Sequence, residues 1–230
     1  MNRSLPLFSW IIISFALSCY ALVIIPQKQI GGLQPHFTEE EGKIVPDSIY
    51  PVENHGVDAG RDVYRSEGCM YCHSQQVRDV QNGTDIERGW GERRTVARDY
   101  IFEQPPFLGS TRLGPDLANV GSAKWRNEAP DDPRRPAKRD RAWHLLHLYA
   151  PTTVIAESNM PPYRYLFKKE KISGQRSHEA LNLSGKDAPK DGYQIVPTER
   201  ARQLVDYLLS LDRSRPLPEV KPATPEAAKK

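Results

Sequence analysis

The chain has 230 residues, of which 32 are basic and 29 acidic, so its formal charge at neutral pH is only +3. This near-balance argues against a nucleic-acid-binding protein, which usually carries a strongly basic face. Hydrophobic residues make up 38% of the chain and 20 residues are proline, so we expect one modest core with long loops. The three cysteines are too few and too unevenly placed for a disulfide scaffold.

The first predicted element is an apolar helix. No charged residue occurs between Leu5 and Ile25, and a helix of this length can cross a hydrocarbon core of ~30 Å. We interpret residues 1–26 as a retained membrane anchor. A cleaved signal peptide and a lipoprotein signal ending at Cys19 are the alternatives, and both fit less well because the apolar run continues beyond Cys19.

The charges around this helix favour one orientation. Arg3 precedes the helix, whereas an acidic run at 39–41 follows it. Because positive charge is retained on the cytoplasmic side, the amino terminus is expected in the cytoplasm.

The remainder is predicted to be mainly α-helical with long irregular loops. Residues 27–54 contain repeated prolines and no sustained hydrophobic period, which predicts an extended stalk. A globular domain is expected over 55–212, with helices at Gly60–Glu67, Ala142–Tyr149 and Thr198–Leu211. The segments near 124–141 and 168–197 resemble insertions, and the proline-rich end, 213–230, is expected to be disordered.

The most informative motif is Cys69-Met70-Tyr71-Cys72-His73. Two thiols separated by two residues can each form a thioether with a haem vinyl group, and the following histidine can bind the iron; this is the pattern of c-type haem attachment. A structural zinc site is a weaker interpretation because it needs a second pair of ligands. A thioredoxin-like redox motif is also weaker, because a helix is predicted before the first cysteine.

A low-spin haem needs a sixth ligand, usually methionine or histidine. Met1 is the first residue and Met70 lies between the attachment cysteines, which leaves Met160, in a loop stiffened by two prolines. His144 and His147 are the rivals, since residues three apart share one helix face.

The proximal histidine also needs a hydrogen-bond acceptor for its second nitrogen. The rigid turn at Leu113-Gly114-Pro115-Asp116-Leu117 offers the carbonyl group of Pro115 as that acceptor.

Several further motifs carry a resemblance to a known family. The chain resembles a class I cytochrome c domain in Gly60, Tyr64, the haem motif, Gly114-Pro115, Met160-Pro161 and a closing helix with Tyr207 and Leu208. Longer matches narrow the resemblance to one family, subunit II of cbb3-type cytochrome c oxidases. They are Gly60-Arg61-Asp62-Val63-Tyr64, Cys72-His73-Ser74-Gln75, Trp143-His144, His147-Leu148 and Met160-Pro161-Pro162-Tyr163. That subunit is a monohaem cytochrome c on one amino-terminal membrane helix.

The resemblance implies an electron-transfer subunit that does not itself reduce dioxygen. One covalent haem c would relay electrons from a cytochrome c donor, or a dihaem cytochrome c subunit, to a haem–copper catalytic subunit. The expected location is the bacterial cytoplasmic membrane, with the haem domain in the periplasm. The alternatives are the cytochrome c subunit of a nitric oxide reductase and a free membrane-tethered carrier.

Overall fold

The computed structural model describes residues 4–37, 39–40, 42–44, 56–123 and 139–220. Residues 38, 41 and 45–54 of the predicted stalk and most of the predicted insertion near 124–141 lie outside these described residues. The chain divides into two compact units, one formed by Met1–Val52 with Val96–Gln104 and the other by Glu53–Thr95 with Pro105–Lys230.

The first unit begins with a helix that is longer than the sequence predicts. Helix α1, Ser4–Cys19, continues through a π-helical turn at Tyr20–Ile24 into α2, Ile25–Ile30. Together they form 27 continuous helical residues that are long and apolar enough to cross a membrane. We expected the helix to end at Pro26, but the chain stays helical through this proline. The π-helical turn directly before it already departs from the regular hydrogen-bond pattern, with the backbone N–H of Ile25 donating to the carbonyl of Tyr20.

The segment after this helix is not purely extended, in contrast to the predicted stalk. Strands β1, Glu39–Glu40, and β2, Lys43–Ile44, form a short antiparallel pair. A short 3₁₀ helix at Ala97–Tyr100 belongs to the same unit, and its Arg98 side chain donates to the carbonyl of Gln34.

The second unit is built around two helices that cross closely. Helix α3, Asp58–Ser66, packs on α6, Glu199–Ser210. A Cβ atom added at Gly60 would lie 1.9 Å from the backbone oxygen of Gln203 and 2.8 Å from Cβ of Tyr207. Only a glycine therefore lets the two backbones approach this closely.

The core lies around this crossing. Tyr64 is fully buried, and its ring lies 5.8 Å from that of Phe107 and 5.3 Å from that of Tyr207. Thr198 caps α6 by accepting a hydrogen bond from the backbone of Ala201. The apolar face of α6 is buried, as its helical spacing predicts, at Ala201, Leu204, Val205 and Leu208.

A second helical pair and a hairpin complete this unit. Asp140 caps helix α4, Arg141–Tyr149, and α5, Pro151–Val154, follows directly. Strands β3, Phe167–Lys171, and β4, Tyr193–Pro197, pair antiparallel with Phe167 opposite Pro197. The two ends of the predicted insertion at 168–197 are therefore paired strands, and its Leu181, Ile195 and Val196 are buried.

The first residues of the predicted disordered tail pack against the domain, which differs from our expectation. Arg213 and Leu217 are buried, and the backbone N–H of Arg213 donates to the side chain of Asn119 at 2.8 Å. The rest of that prediction, 221–230, lies outside the described residues.

Candidate functional site

The predicted attachment motif occupies a tight turn after α3. Gly68, at φ +73°, reverses the chain into a 3₁₀ turn at Cys69–Tyr71, and the backbone N–H of His73 donates to the carbonyl of Cys69 at 3.0 Å. Cys69 and Cys72 are both free and half-buried. Burial raises the pKa of the Cys69 thiol to about 12, which is the opposite of the lowered pKa that activates a redox or metal-binding thiolate.

His73 is held through one ring nitrogen. Its Nδ1 lies 2.7 Å from the carbonyl oxygen of Pro115, and because a carbonyl only accepts, Nδ1 carries the donated hydrogen. Burial lowers the pKa of His73, which favours the neutral ring. Its Nε2 is then left with the lone pair that an iron ligand requires.

The segment that carries Pro115 is hydrogen-bonded to the attachment motif and to the residue after it. The backbone N–H of Gly114 donates to the carbonyl of Cys72 at 3.0 Å, and that of Leu117 donates to the carbonyl of Ser74 at 2.8 Å. A Cβ atom at Gly114 would lie 2.2 Å from Cε1 of His73. The sequence indicates this turn. It does not reveal the contact between the imidazole and Gly114, because these residues are far apart in the chain.

An open cleft brings most of the predicted site residues together. Its empty space of about 710 Å³ includes the part that is open to solvent. Cys69, His73, Pro115 and Met160 line it, together with apolar side chains such as Leu117, Val120, Leu148, Leu204 and Leu208. Cys72 is not among the lining residues and lies in the adjoining turn.

Met160 reaches the cleft from a loop that is tied to α4. The backbone N–H of Tyr163 donates to the carbonyl of Leu148 at 2.8 Å, and that of Met160 donates to the hydroxyl of Ser158 at 3.2 Å. Met160 is half-buried against the core. Its thioether is thus held at the cleft by a fixed loop.

The two rival histidines also line the cleft. His144 is buried, and the ring of His147 stacks on Trp143 with a centroid distance of 4.8 Å. Burial, the nearby His73 and the charge of Arg139 lower the pKa of His147 to about 4, so its ring is neutral at ordinary pH. Among the described residues Nδ1 of His147 has no hydrogen-bond partner. Both histidines thus line the same cleft as Met160.

The donor set of the cleft fits a c-type haem. The cleft offers the Cys69 thiol, a histidine oriented through Nδ1, a thioether and an apolar lining, and the adjoining turn offers the Cys72 thiol. Within the described part of the chain, no group of three or more His, Cys, Asp or Glu side chains could hold a metal ion. A single axial histidine with a thioether is instead the ligand set of cytochromes c.

One comparison with known proteins decides the family. The family model described as "Cytochrome C oxidase, mono-heme subunit/FixO" matches residues 12–195, which is well over half of the chain and includes Cys69, Cys72, His73, Pro115 and Met160. The chain belongs to this family. Membership confirms the predicted relationship to subunit II of cbb3-type oxidases and indicates one haem and association with other oxidase subunits. No curated protein matches the chain.

Proposed function

We propose that this chain is the electron-transfer subunit of a cbb3-type cytochrome c oxidase and holds one covalent haem c. The observation that carries the proposal is a single apolar cleft lined by Cys69, His73 and Met160, with Nδ1 of His73 on the carbonyl of Pro115. When bound, the haem supplies a reversible one-electron couple between ferric and ferrous iron.

The protein side chains attach and orient that group. The thiols of Cys69 and Cys72 would hold the haem through thioethers to its vinyl groups, and His73 would bind the iron through Nε2 while Pro115 fixes its ring. Met160 would supply the other iron ligand. The apolar lining from Leu117, Leu148 and Leu204 excludes water, so the side chains need little reorganisation between the two oxidation states.

We assign a class I cytochrome c-like fold to the second unit. The support is the crossing of α3 and α6 at Gly60 and Tyr207, beside the turn that carries the attachment motif. The first unit supplies the anchor through the apolar helix Ser4–Ile30. We place the amino terminus in the cytoplasm and the haem domain in the periplasm of a bacterial cytoplasmic membrane.

In this assignment the chain relays electrons and dioxygen reduction occurs elsewhere. With haem bound, the chain would accept an electron from a cytochrome c, or from a dihaem cytochrome c subunit, and would pass it to a haem–copper catalytic subunit. Family membership supports the association with oxidase subunits.

Purification in mild detergent tests the assignment. We expect the tagged chain to carry a c-type haem spectrum and to co-purify with a haem–copper subunit whose preparation reduces dioxygen. Co-purification with a catalytic subunit that reduces nitric oxide would instead support the reductase alternative. A haem-loaded chain without any stable partner would support the free carrier.

A further inference from the structure

A buried carboxylate joins the two segments that meet at His73. Asp116 directly follows Pro115, and Ser74 directly follows His73. The Asp116 carboxylate accepts the Ser74 hydroxyl at 2.6 Å, the backbone N–H of Gln76 at 2.7 Å and that of Ala118 at 2.8 Å. One side chain therefore clamps both ends of the hydrogen bond between His73 and Pro115.

Arg112 orients this clamp. Its guanidinium donates to the Ser74 hydroxyl at 2.9 Å and to the carbonyl of Gln76, and one of its nitrogens lies 4.0 Å from the Asp116 carboxylate. Because the Ser74 hydroxyl accepts from Arg112, its own hydrogen is directed to Asp116. The three side chains form one directed chain of hydrogen bonds.

A second buried carboxylate fixes Arg112 in place. Asp85 is fully buried and accepts from Arg112 at 2.7 Å and from the side chain of Arg78 at 2.9 Å. Although burial raises the pKa of Asp85, these hydrogen bonds and charges outweigh it and leave the pKa below its ordinary value. Arg112 is thus held by an ionised partner in addition to its contacts with Ser74 and Gln76.

Stability alone is a weak reason for such a cluster. Burying ion pairs costs about as much desolvation energy as their attraction returns, and apolar replacements are often equally stable. The cluster does, however, place the Asp116 carboxylate against the segment that follows His73. Hydrogen bonds to the groups that support a ligating histidine fix the orientation of its ring and raise its basicity.

We infer that Asp116, oriented by Arg112 through Ser74, is a positioning residue that holds the His73 imidazole against Pro115 and thereby lowers the haem potential. The inference rests on the haem site proposed above. Burial raises the pKa of Asp116, whereas the hydrogen bonds that it accepts and the charge of Arg112 favour its ionised form. A firmly held imidazole and a nearby carboxylate both stabilise ferric iron, so both effects act in the same direction.

The test is a redox titration of the purified haem-loaded complex and its variants. We expect Asp116→Asn to raise the midpoint potential by about 59 mV, a tenfold change for a one-electron couple. Asp116→Glu keeps the charge and should restore part of the difference. Ser74→Ala breaks the chain without changing any charge and should raise the potential by a smaller amount.

Asp79→Asn is the matched control. Asp79 lies in a nearby loop and pairs with Arg94 at 3.6 Å, but both side chains are substantially exposed. Its replacement should leave the potential unchanged.

Equal potentials in wild type, Asp116→Asn and Ser74→Ala, with haem fully bound, would overturn the inference and leave Asp116 a purely structural residue. If Asp116→Asn does not fold, Ser74→Ala decides alone. A wild-type chain without haem would instead refute the proposed function, so the two failures are distinguishable.

Discussion

The position of the His73 ring depends on the absence of a side chain at Gly114. Since a Cβ there would lie 2.2 Å from Cε1 of His73, Gly114→Ala must displace the imidazole or the turn. We expect the variant to retain about tenfold less correctly ligated haem, in line with changes to groups that support a ligand. Absorption spectra of the purified protein measure this. Gly32→Ala is the control, since a Cβ at Gly32 meets no atom within 4 Å.

Met160 is predicted to set the haem potential through its thioether. A thioether favours ferrous iron, so Met160→His should keep the haem attached and low-spin but lower its midpoint potential. A redox titration with ferric absorption spectra measures both. If Met160→His and Met160→Ala leave the potential and spectrum unchanged, His144 or His147 becomes the better candidate, because both line the same cleft.

Candidate site residues can be named from the sequence more readily than the residues that surround them. The motif at 69–73 and Pro115 could be named because their chemistry depends on residue type and short spacing. The buried network of Asp85, Arg112 and Asp116 could not, because its members look like ordinary surface charges until the loops are folded together.

At the scale of elements, the crossing of α3 and α6 depends on Gly60. Alanine raises intrinsic helix stability by about 1 kcal/mol relative to glycine, but here its Cβ would lie 1.9 Å from the carbonyl oxygen of Gln203. We expect the clash to dominate, so that Gly60→Ala lowers the free energy of unfolding by about 1–3 kcal/mol. Denaturant titration measures this, and a stabilised variant would show that the helices do not cross at this residue.

The predictability of the elements follows from their local signals. Helix α6 was predicted almost to the residue because Thr198 caps it and its apolar residues follow a helical period. The hairpin of β3 and β4 was missed because β3 reads Phe-Lys-Lys-Glu-Lys and buries only its first residue. Its pairing with β4 is a contact between distant segments that no local pattern reveals.

At the scale of the whole molecule, the apolar helix Ser4–Ile30 must stay attached to the haem domain if it is a membrane anchor. A retained anchor of this length should keep the protein in the membrane after washing with salt or alkali. Mass spectrometry of the mature protein should then find a sequence that extends through Cys19. A mature start at Cys19 with attached lipid would show that the segment is a lipoprotein signal.

The most direct test of the whole account is haem staining on a denaturing gel, because only a covalently attached haem survives it. Wild type and Cys19→Ala should both show the haem signal, since Cys19 lies in the apolar helix. The double variant Cys69→Ala, Cys72→Ala should lose it. An undiminished signal in the double variant would contradict the account.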